Sequence, residues 1–368
     1  GRGGIMLLRY EIKKQLSNYA IYPIILFLFI ITLVSMYDEG YFGHDFCNRL
    51  DEYSCSSSGK LITGTKAYEY NKKVATHYKR VVDDNLLKQL HKKYKDNPHV
   101  KKYGSVYYDS TYNYFKTVFH INDNKYLKTK DVYVTDNIIY GFTGDWQALY
   151  EVLDKFFLIF IFLTVAFASP IFAGEHEHGI AKLLATTYEG RKVSFLKTKL
   201  YVVLLFVNIT LFTCLGIIIC IHFMRYGFSG ADISVQIIKK YCYSMLRLNL
   251  WQFTLYKTIT GILGINFLSL FTCLISLYCK NTFNCFLIVA LYVFAFERKI
   301  WLFFFKLNII DYVLTLAPIN SFKLMSINIL PEISYIYLIE IVYILLYILT
   351  FIMIKRLWRQ RKYWLSCK

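Results

Sequence analysis

Charge is scarce in this 368-residue chain: 18% of its residues are charged, and the 25 acidic ones are outnumbered by 43 Lys and Arg. With 56% hydrophobic residues, that scarcity excludes a disordered or an acidic chain. A phosphate-binding loop is also missing. It needs Gly, four residues, then Gly-Lys-Ser/Thr, so that backbone N–H groups can cradle phosphate. Ser58-Gly59-Lys60-Leu61 comes nearest and lacks both the first glycine and the hydroxyl. There is no Gly-x-Ser-x-Gly and no recognisable pair of catalytic carboxylates, so no catalytic residue is assigned, although a hydrolase in the polar insert described below is not excluded. The first 19 residues have neither a hydrophobic signal core nor a small-residue cleavage site, which predicts that the first apolar run is retained. Residues 1–5 look foreign. Codons for Arg-Gly-Gly can spell a purine-rich ribosome-binding site just ahead of Met6, so translation is expected to start at Met6.

What the chain does have is apolar residues in runs too long for a water-facing fold. Five nearly charge-free runs, residues 20–36, 156–173, 200–224, 258–279 and 334–354, are each long enough to cross about 30 Å of hydrocarbon at about 1.5 Å per residue. A sixth, 283–296, reaches about 21 Å before Glu297, Arg298 and Lys299 interrupt it, and it spans if the flanking charges snorkel or the bilayer thins. Counting it makes the number even and puts both basic termini on one side. Residues 300–333 are broken by Lys306, Asp311 and Pro318 and read as an interfacial or re-entrant segment. The 33 Tyr, 30 Phe and 5 Trp exceed what core packing needs and fit rings at two membrane interfaces. The fold class expected is therefore a polytopic α-helical membrane protein with six transmembrane helices. The net charge of +18 lies between the apolar runs, whereas nucleic-acid binding would need it gathered on a soluble domain, so no nucleic-acid partner is expected.

Orientation follows from Lys and Arg in short loops and tails. Residues 1–19 carry Arg9, Lys13 and Lys14; 174–199 carry Lys182, Arg191, Lys192, Lys197 and Lys199; and 355–368 carry Lys355, Arg356, Arg359, Arg361 and Lys362. These segments are placed in the cytoplasm, although Arg225, Lys239, Lys240 and Arg247 then fall outside. Leu8, Ile12 and Leu16 recur at four-residue spacing, as on an amphipathic helix lying in the inner interface. The polar insert, 37–150, holds 22 aromatic residues and is expected to fold as a mixed α+β domain on the outer side. Tyr78, Val82, Leu86 and Leu90 mark one face of a helix stopping near Asn97-Pro98, while 105–108 and 132–140 read as short strands. Cys47 and Cys55 in this insert either form a disulfide or remain a free, buried pair. Cys214, Cys220, Cys273, Cys279 and Cys285, in or at the edges of the spans, read as packing residues.

The segment 172–191, Phe-Ala-Gly-Glu-His-Glu-His-Gly-Ile-Ala-Lys-Leu-Leu-Ala-Thr-Thr-Tyr-Glu-Gly-Arg, carries the most chemistry. Its acidic start suits a helix N-terminus, Ile180, Leu183 and Leu184 form a short apolar ridge that needs a groove, and Gly190-Arg191 turns the chain back. His176 and His178, two residues apart on a helix, diverge too far to share an ion, so no metal site is assigned. Within the spans, Glu340 faces a substrate route, pairs with Arg298 or Lys299, or snorkels outward. Asn208 is a second candidate for the translocation pathway, although asparagine and His222 in a span more often make interhelical hydrogen bonds. Thr260 and Gly264 fit close helix packing.

An acidic stretch, a glycine, a leucine pair and a Gly-Arg with following lysines make 172–200 resemble the coupling helix of permease subunits of type-2 ABC exporters (the ABC-2 type transporter family). The layout also agrees over the whole chain: an N-terminal amphipathic helix, six spans, an interfacial segment before the last span and a large insert after the first. The resemblance implies that Glu175, Glu177, Gly179, Leu183 and Leu184 contact an ATP-binding cassette subunit, with Arg191 fixing the turn. The competing view is an ordinary cytoplasmic loop. It further implies a dimer of transmembrane subunits with an identical copy or a paralogue, and ATP and Mg bound by the partner subunit, with no cofactor in this chain. The expected setting is a bacterial plasma membrane with its lipid, and the expected cargo a peptide, lipid or amphipathic toxin. The alternative from another class is an ATP-independent sensor or anchor acting through the outer domain.

Overall fold

A computed structural model describes residues 8–14, 21–43, 53–55, 61–95, 137–187, 192–241, 246–296, 317–323 and 333–359. A short helix α1, residues 8–14, precedes α2, Ile21–Asp38. A hairpin of β1, Tyr53–Cys55, and β2, Leu61–Thr63, pairs antiparallel with Tyr53 opposite Thr63. Then follow α3, Gly64–His77; α4, Asp84–Lys95; and α5, Gly144–Ala168, which a 3₁₀ turn carries on to Ile171. Two short helices, α6 (Ala173–Glu177) and α7 (Ile180–Thr186), lead to α8, Val193–Tyr226. The rest is α9, Leu250–Ser276; α10, Thr282–Ala295; a 3₁₀ segment, Pro318–Lys323; and α11, Ile333–Arg359.

Among the described residues the chain is mostly helical, and four segments there, Gly144–Ile171, Val193–Tyr226, Leu250–Ser276 and Leu338–Arg359, are long and apolar enough to cross a membrane. Tyr22–Asp38 and Thr282–Ala295, where the sequence places the first and fifth spans, are shorter apolar helices. Helix α5 is the centre of the bundle: Phe156, Phe157, Phe160 and Leu163 are all nearly solvent-free. The outer helices instead turn apolar side chains outward, among them Phe27 and Ile30 of α2, Ile209 and Phe212 of α8, and Ile344 and Ile348 of α11. Helices that are apolar on their outward face suit hydrocarbon, not water.

Three of the long helices begin before the apolar runs do. Helix α5 starts twelve residues ahead of the expected span at 156, α8 seven ahead of 200 and α9 eight ahead of 258. The added turns contain charges that have partners. Tyr68 Oη donates to Asp145 at 2.8 Å and Lys72 reaches the same carboxylate at 3.1 Å. Lys155 pairs with Glu39 at 2.9 Å. Asp154 accepts from Lys257 at 2.5 Å and from Lys240 at 2.6 Å. Burial alone would lower the Lys240 pKa, but Asp154 and Tyr241 raise it above the ordinary lysine value.

At this same end, Tyr41 Oη and His222 Nδ1 lie 2.9 Å apart, with Trp146, Phe223 and Tyr226 packed around the imidazole. His222 thus bonds to the turn after α2, where an interhelical partner was expected. The 3₁₀ segment penetrates the bundle here. Ser321 Oγ donates to the Thr260 carbonyl at 2.8 Å and Lys257 Nζ to the Phe322 carbonyl at 2.9 Å. A Cβ on Gly264 would stand 2.3 Å from Ser321 Oγ, and one on Gly261 2.3 Å from the Phe157 ring, so both positions require glycine for space. The small residues of α9 therefore admit a short 3₁₀ segment as well as a long helix, with its backbone groups satisfied within protein.

The insert differs from its sequence reading. No single helix runs through Tyr78 and Val82: α3 ends at His77, a turn follows at Tyr78, and Val81 forms an isolated bridge with Ile139, with Val82 N donating to Ile138 O at 2.7 Å and Tyr140 N to Arg80 O at 2.9 Å. Asp83 restarts the helix by accepting from the Leu86 amide at 2.6 Å, as an N-cap carboxylate does. Helix α4 then buries Leu86 and Leu87 and stops at Lys95, ahead of Asn97-Pro98. Of the expected strand 132–140, the described part makes one isolated bridge, Val81 with Ile139, and 105–108 lies outside the described residues.

Candidate functional site

The end of the bundle opposite the insert gathers α1, α6, α7, the start of α8 and the end of α11. Helix α6 is five residues long because Gly179 stops it: its φ of +73° is left-handed, a conformation glycine adopts without strain, and its N–H returns to the His176 carbonyl at 3.1 Å. Helix α7 starts directly after this turn, so 173–187 forms a helical hairpin between two long helices.

Glu175 does not face solvent. Its side chain is 2% exposed and accepts from Lys199 Nζ, which is itself fully buried at the start of α8. Lys14 of α1 reaches the same Glu175 Oε1 at 3.0 Å, and Glu11, also 2% exposed, lies 3.5 Å from Lys199. Two carboxylates and two ammonium groups thus lock α1, α6 and α8 together in a neutral cluster. Lys199 also lies 5.7 Å from the centroid of the Phe172 ring and 5.0 Å from that of Phe195, positions that stabilise a desolvated cation. Both rings pack on Trp358 of α11, which is 1% exposed. The cluster therefore connects the hairpin to three other helices.

The other sequence-selected residues of this segment divide into two groups. Glu177 is exposed and accepts from the Thr282 amide at 3.1 Å, a bond that lowers its pKa below the usual glutamate value. Leu183 is 69% exposed, while Leu184 packs against the core. Glu177, Gly179 and Leu183 thus share the solvent side of the hairpin, and Glu175 anchors it from within. Arg191 lies outside the described residues. His178 is exposed at the end of α6, and no group of three or more His, Cys, Asp or Glu side chains placed to hold a metal ion occurs among the described residues.

The remaining candidates are elsewhere. Asn208 of α8 exchanges amide hydrogen bonds with Asn266 of α9 at 2.7 and 3.1 Å, which makes it an interhelical contact. Glu340 is half-buried on α11, one turn from Tyr343, and its Oε1 has no hydrogen-bond partner among the described residues; Arg298 and Lys299 are not among them. Cys47 and the side chain of Cys55 also lie outside the described residues.

Sequence reasoning used Lys14 and Lys199 only as cytoplasmic orientation charges and gave Glu11 no role. A readable signal was present: Glu175 ends one long apolar stretch and Lys199 begins the next, so consecutive antiparallel helices bring opposite charges to the same level. The comparisons add nothing to this geometry, since no family model, curated protein or solved structure matches the chain.

Proposed function

We propose that this chain is the membrane-spanning permease subunit of an ATP-driven exporter, with 173–187 as the element that receives a separate ATP-binding subunit. The observation that carries the reading is the hairpin itself: Leu183 is presented to solvent on a short helix whose base is fixed by the buried Glu175–Lys199 pair. A lone exposed leucine is unremarkable on a surface. One mounted on a hairpin that is ion-paired to α1 and α8 and packed on α11 through Phe172 and Trp358 can transmit a push from a docked partner into the bundle as a rigid-body tilt. In this reading the chain crosses a bacterial plasma membrane six times, with α2 and α10 as the first and fifth spans. Both termini are cytoplasmic and 37–150 lies outside. Two such halves form the pathway, the partner binds ATP and Mg, and the cargo is a peptide, lipid or amphipathic toxin, matching the apolar and aromatic character of the spans.

The sensor or anchor reading draws on a different observation, the tie of Tyr68 and Lys72 from α3 to buried Asp145 at the start of α5, which joins the insert to the central helix. A mild-detergent pull-down from native membranes followed by mass spectrometry separates the two. The exporter reading expects a stoichiometric ATP-binding subunit that Leu183→Asp removes while membrane insertion persists. Reproducible absence of such a subunit, or its retention by Leu183→Asp, would overturn it in favour of the insert.

A further inference from the structure

Three segments meet on Phe172, Glu175 and Lys199: α1 through Glu11 and Lys14, the start of α8 through Phe195 and Lys199, and the end of α11 through Trp358. Each inward-facing residue has a cation one or two places away, which the turn of the helix directs outward. Arg9 and Lys13 flank Glu11, Lys197 precedes Lys199, and Arg356 and Arg359 flank Trp358; all five are exposed. The described parts of these segments expose no acidic residue, and none of the five cations is ion-paired among the described residues. At the opposite end the exposed cations do have partners: Lys79 pairs with Asp232, Arg80 with Asp83, Lys155 with Glu39 and Lys240 with Asp154. We infer that Arg9, Lys13, Lys197, Arg356 and Arg359 form a basic rim that binds anionic phospholipid headgroups, and that these headgroups hold α1 on the hairpin.

The side chains next to the cations identify the partner as lipid. On α8, exposed Ile209 and Tyr201 lie on one face with Lys197, at spacings of eight and four residues. On α11, exposed Leu345, Leu349 and Ile352 lead to Arg356 and Arg359 in steps of three and four. Both stripes pass from apolar side chains to a cation at the helix end, the order in which a phospholipid presents hydrocarbon and headgroup. An acidic protein in water would cover the cations and leave the stripes bare. Helix α1 completes the rim. Sequence spacing makes Leu8 and Ile12 its lipid-facing stripe, but both are half-buried, and the outward side chains are Arg9, Tyr10 and Lys13. A short helix of this kind is clamped from within by Glu11 and Lys14 and from outside by charge attraction to an anionic leaflet. The inference requires only that the bundle lies in a membrane and does not rest on the exporter reading.

The test uses the full chain reconstituted in nanodiscs of phosphatidylcholine alone, or of phosphatidylcholine and phosphatidylglycerol in equal parts, with thermal unfolding at a fixed scan rate and amide hydrogen exchange as readouts. Unfolding disperses the rim, so bound headgroups stabilise the folded chain by mass action. With the anionic lipid at about ten times its Kd, Tm should rise by about 3 °C for a chain of this size. Phosphatidylglycerol is expected to give this rise and to slow exchange over residues 8–14. Changing all five cations to Gln should reduce the rise to less than about 1 °C. Arg9→Gln with Lys13→Gln, which keeps the charges at the span ends, should lose part of the rise and all of the slowing; it carries the comparison if the fivefold variant does not reconstitute. Lys66→Gln with Lys73→Gln, exposed on α3 in the insert, should keep both effects. Equal Tm in the two nanodiscs, a rise that the α3 variant loses as fully as the rim variants, or unchanged exchange over 8–14 would overturn the inference.

Discussion

Removing Lys199 should unbalance the buried cluster that holds the hairpin. Lys199→Met leaves Glu11 and Glu175 facing Lys14 alone, and Lys14 has 31% of its side chain in solvent against 2% for Glu175. Deleting one member of a buried ion pair costs about 3–5 kcal/mol, because the other charge is left uncompensated. Lys14 offsets part of that, so a loss of about 3 kcal/mol is expected, at the low end of the same range. Adding Glu175→Gln restores neutrality, since Glu11 and Lys14 then remain. The double variant should therefore recover most of the loss, giving a coupling of about 2 kcal/mol, within the range seen for contacting residues. At roughly 2 °C per kcal/mol for a chain of this size, Lys199→Met should lower Tm by about 6 °C and the pair by less than about 3 °C. Thermal unfolding of detergent-solubilised protein at a fixed scan rate checks this. A drop under about 2 °C for Lys199→Met, or a double variant equal to the sum of the singles, would show that the cluster is not energetically coupled.

Three further outcomes follow from the packing. Gly264→Ala places a methyl against Ser321 Oγ and the Pro318 carbonyl and should cost about 1–3 kcal/mol through overpacking, measured by the same unfolding assay, with Gly216→Ala, which meets open space, as the neutral control. Asn208→Leu strands the Asn266 amide in the bundle and should lower stability by about 1 kcal/mol, and Asn208→Leu with Asn266→Leu should lower it less than either alone. Burial lowers the His176 pKa below its ordinary 6.5 despite the opposing pull of Glu175. A base depressed in the folded state contributes stability that is present above the unfolded value and lost as pH falls through it, so Tm should decline between pH 7 and 5, and His176→Gln should flatten that decline.

The long helices were legible because twenty apolar residues in a row have few alternatives, and five of the six expected runs recur as helices within a few residues at one or both ends. The starts of α5, α8 and α9 were not, for one shared reason. Sequence inspection treats a charge beside an apolar run as the place where the run meets water. Asp154, Lys199 and Lys257 break that rule by meeting an opposite charge on another helix, a long-range fact that spacing along one helix cannot reveal. The same limit explains Glu175. Its position at a helix start was readable and its inward direction was not, because that depends on Lys199, twenty-four residues away in sequence. Val82 failed differently: its spacing fits a helical face, but Asp83 offered a better cap for a new helix, and the Ile138 carbonyl took its amide.

These misses locate where the chain carries mechanical constraint. An apolar helix in hydrocarbon gains little by preferring one rotation or depth over another, since lipid and neighbouring leucines are equally acceptable surroundings. A buried lysine has no such freedom: it must stay against its carboxylate or incur the cost of desolvation. Lys199 at one end of the bundle and Lys257 towards the other each bind three separate segments, α1, α6 and α8 through the first, α5, α9 and the 3₁₀ segment through the second. Relative motion of helices is therefore pinned at these two levels. Any tilt that alters the bundle must either carry each cluster along as a rigid unit or break it, which makes the two lysines the positions where a change of conformation is energetically registered.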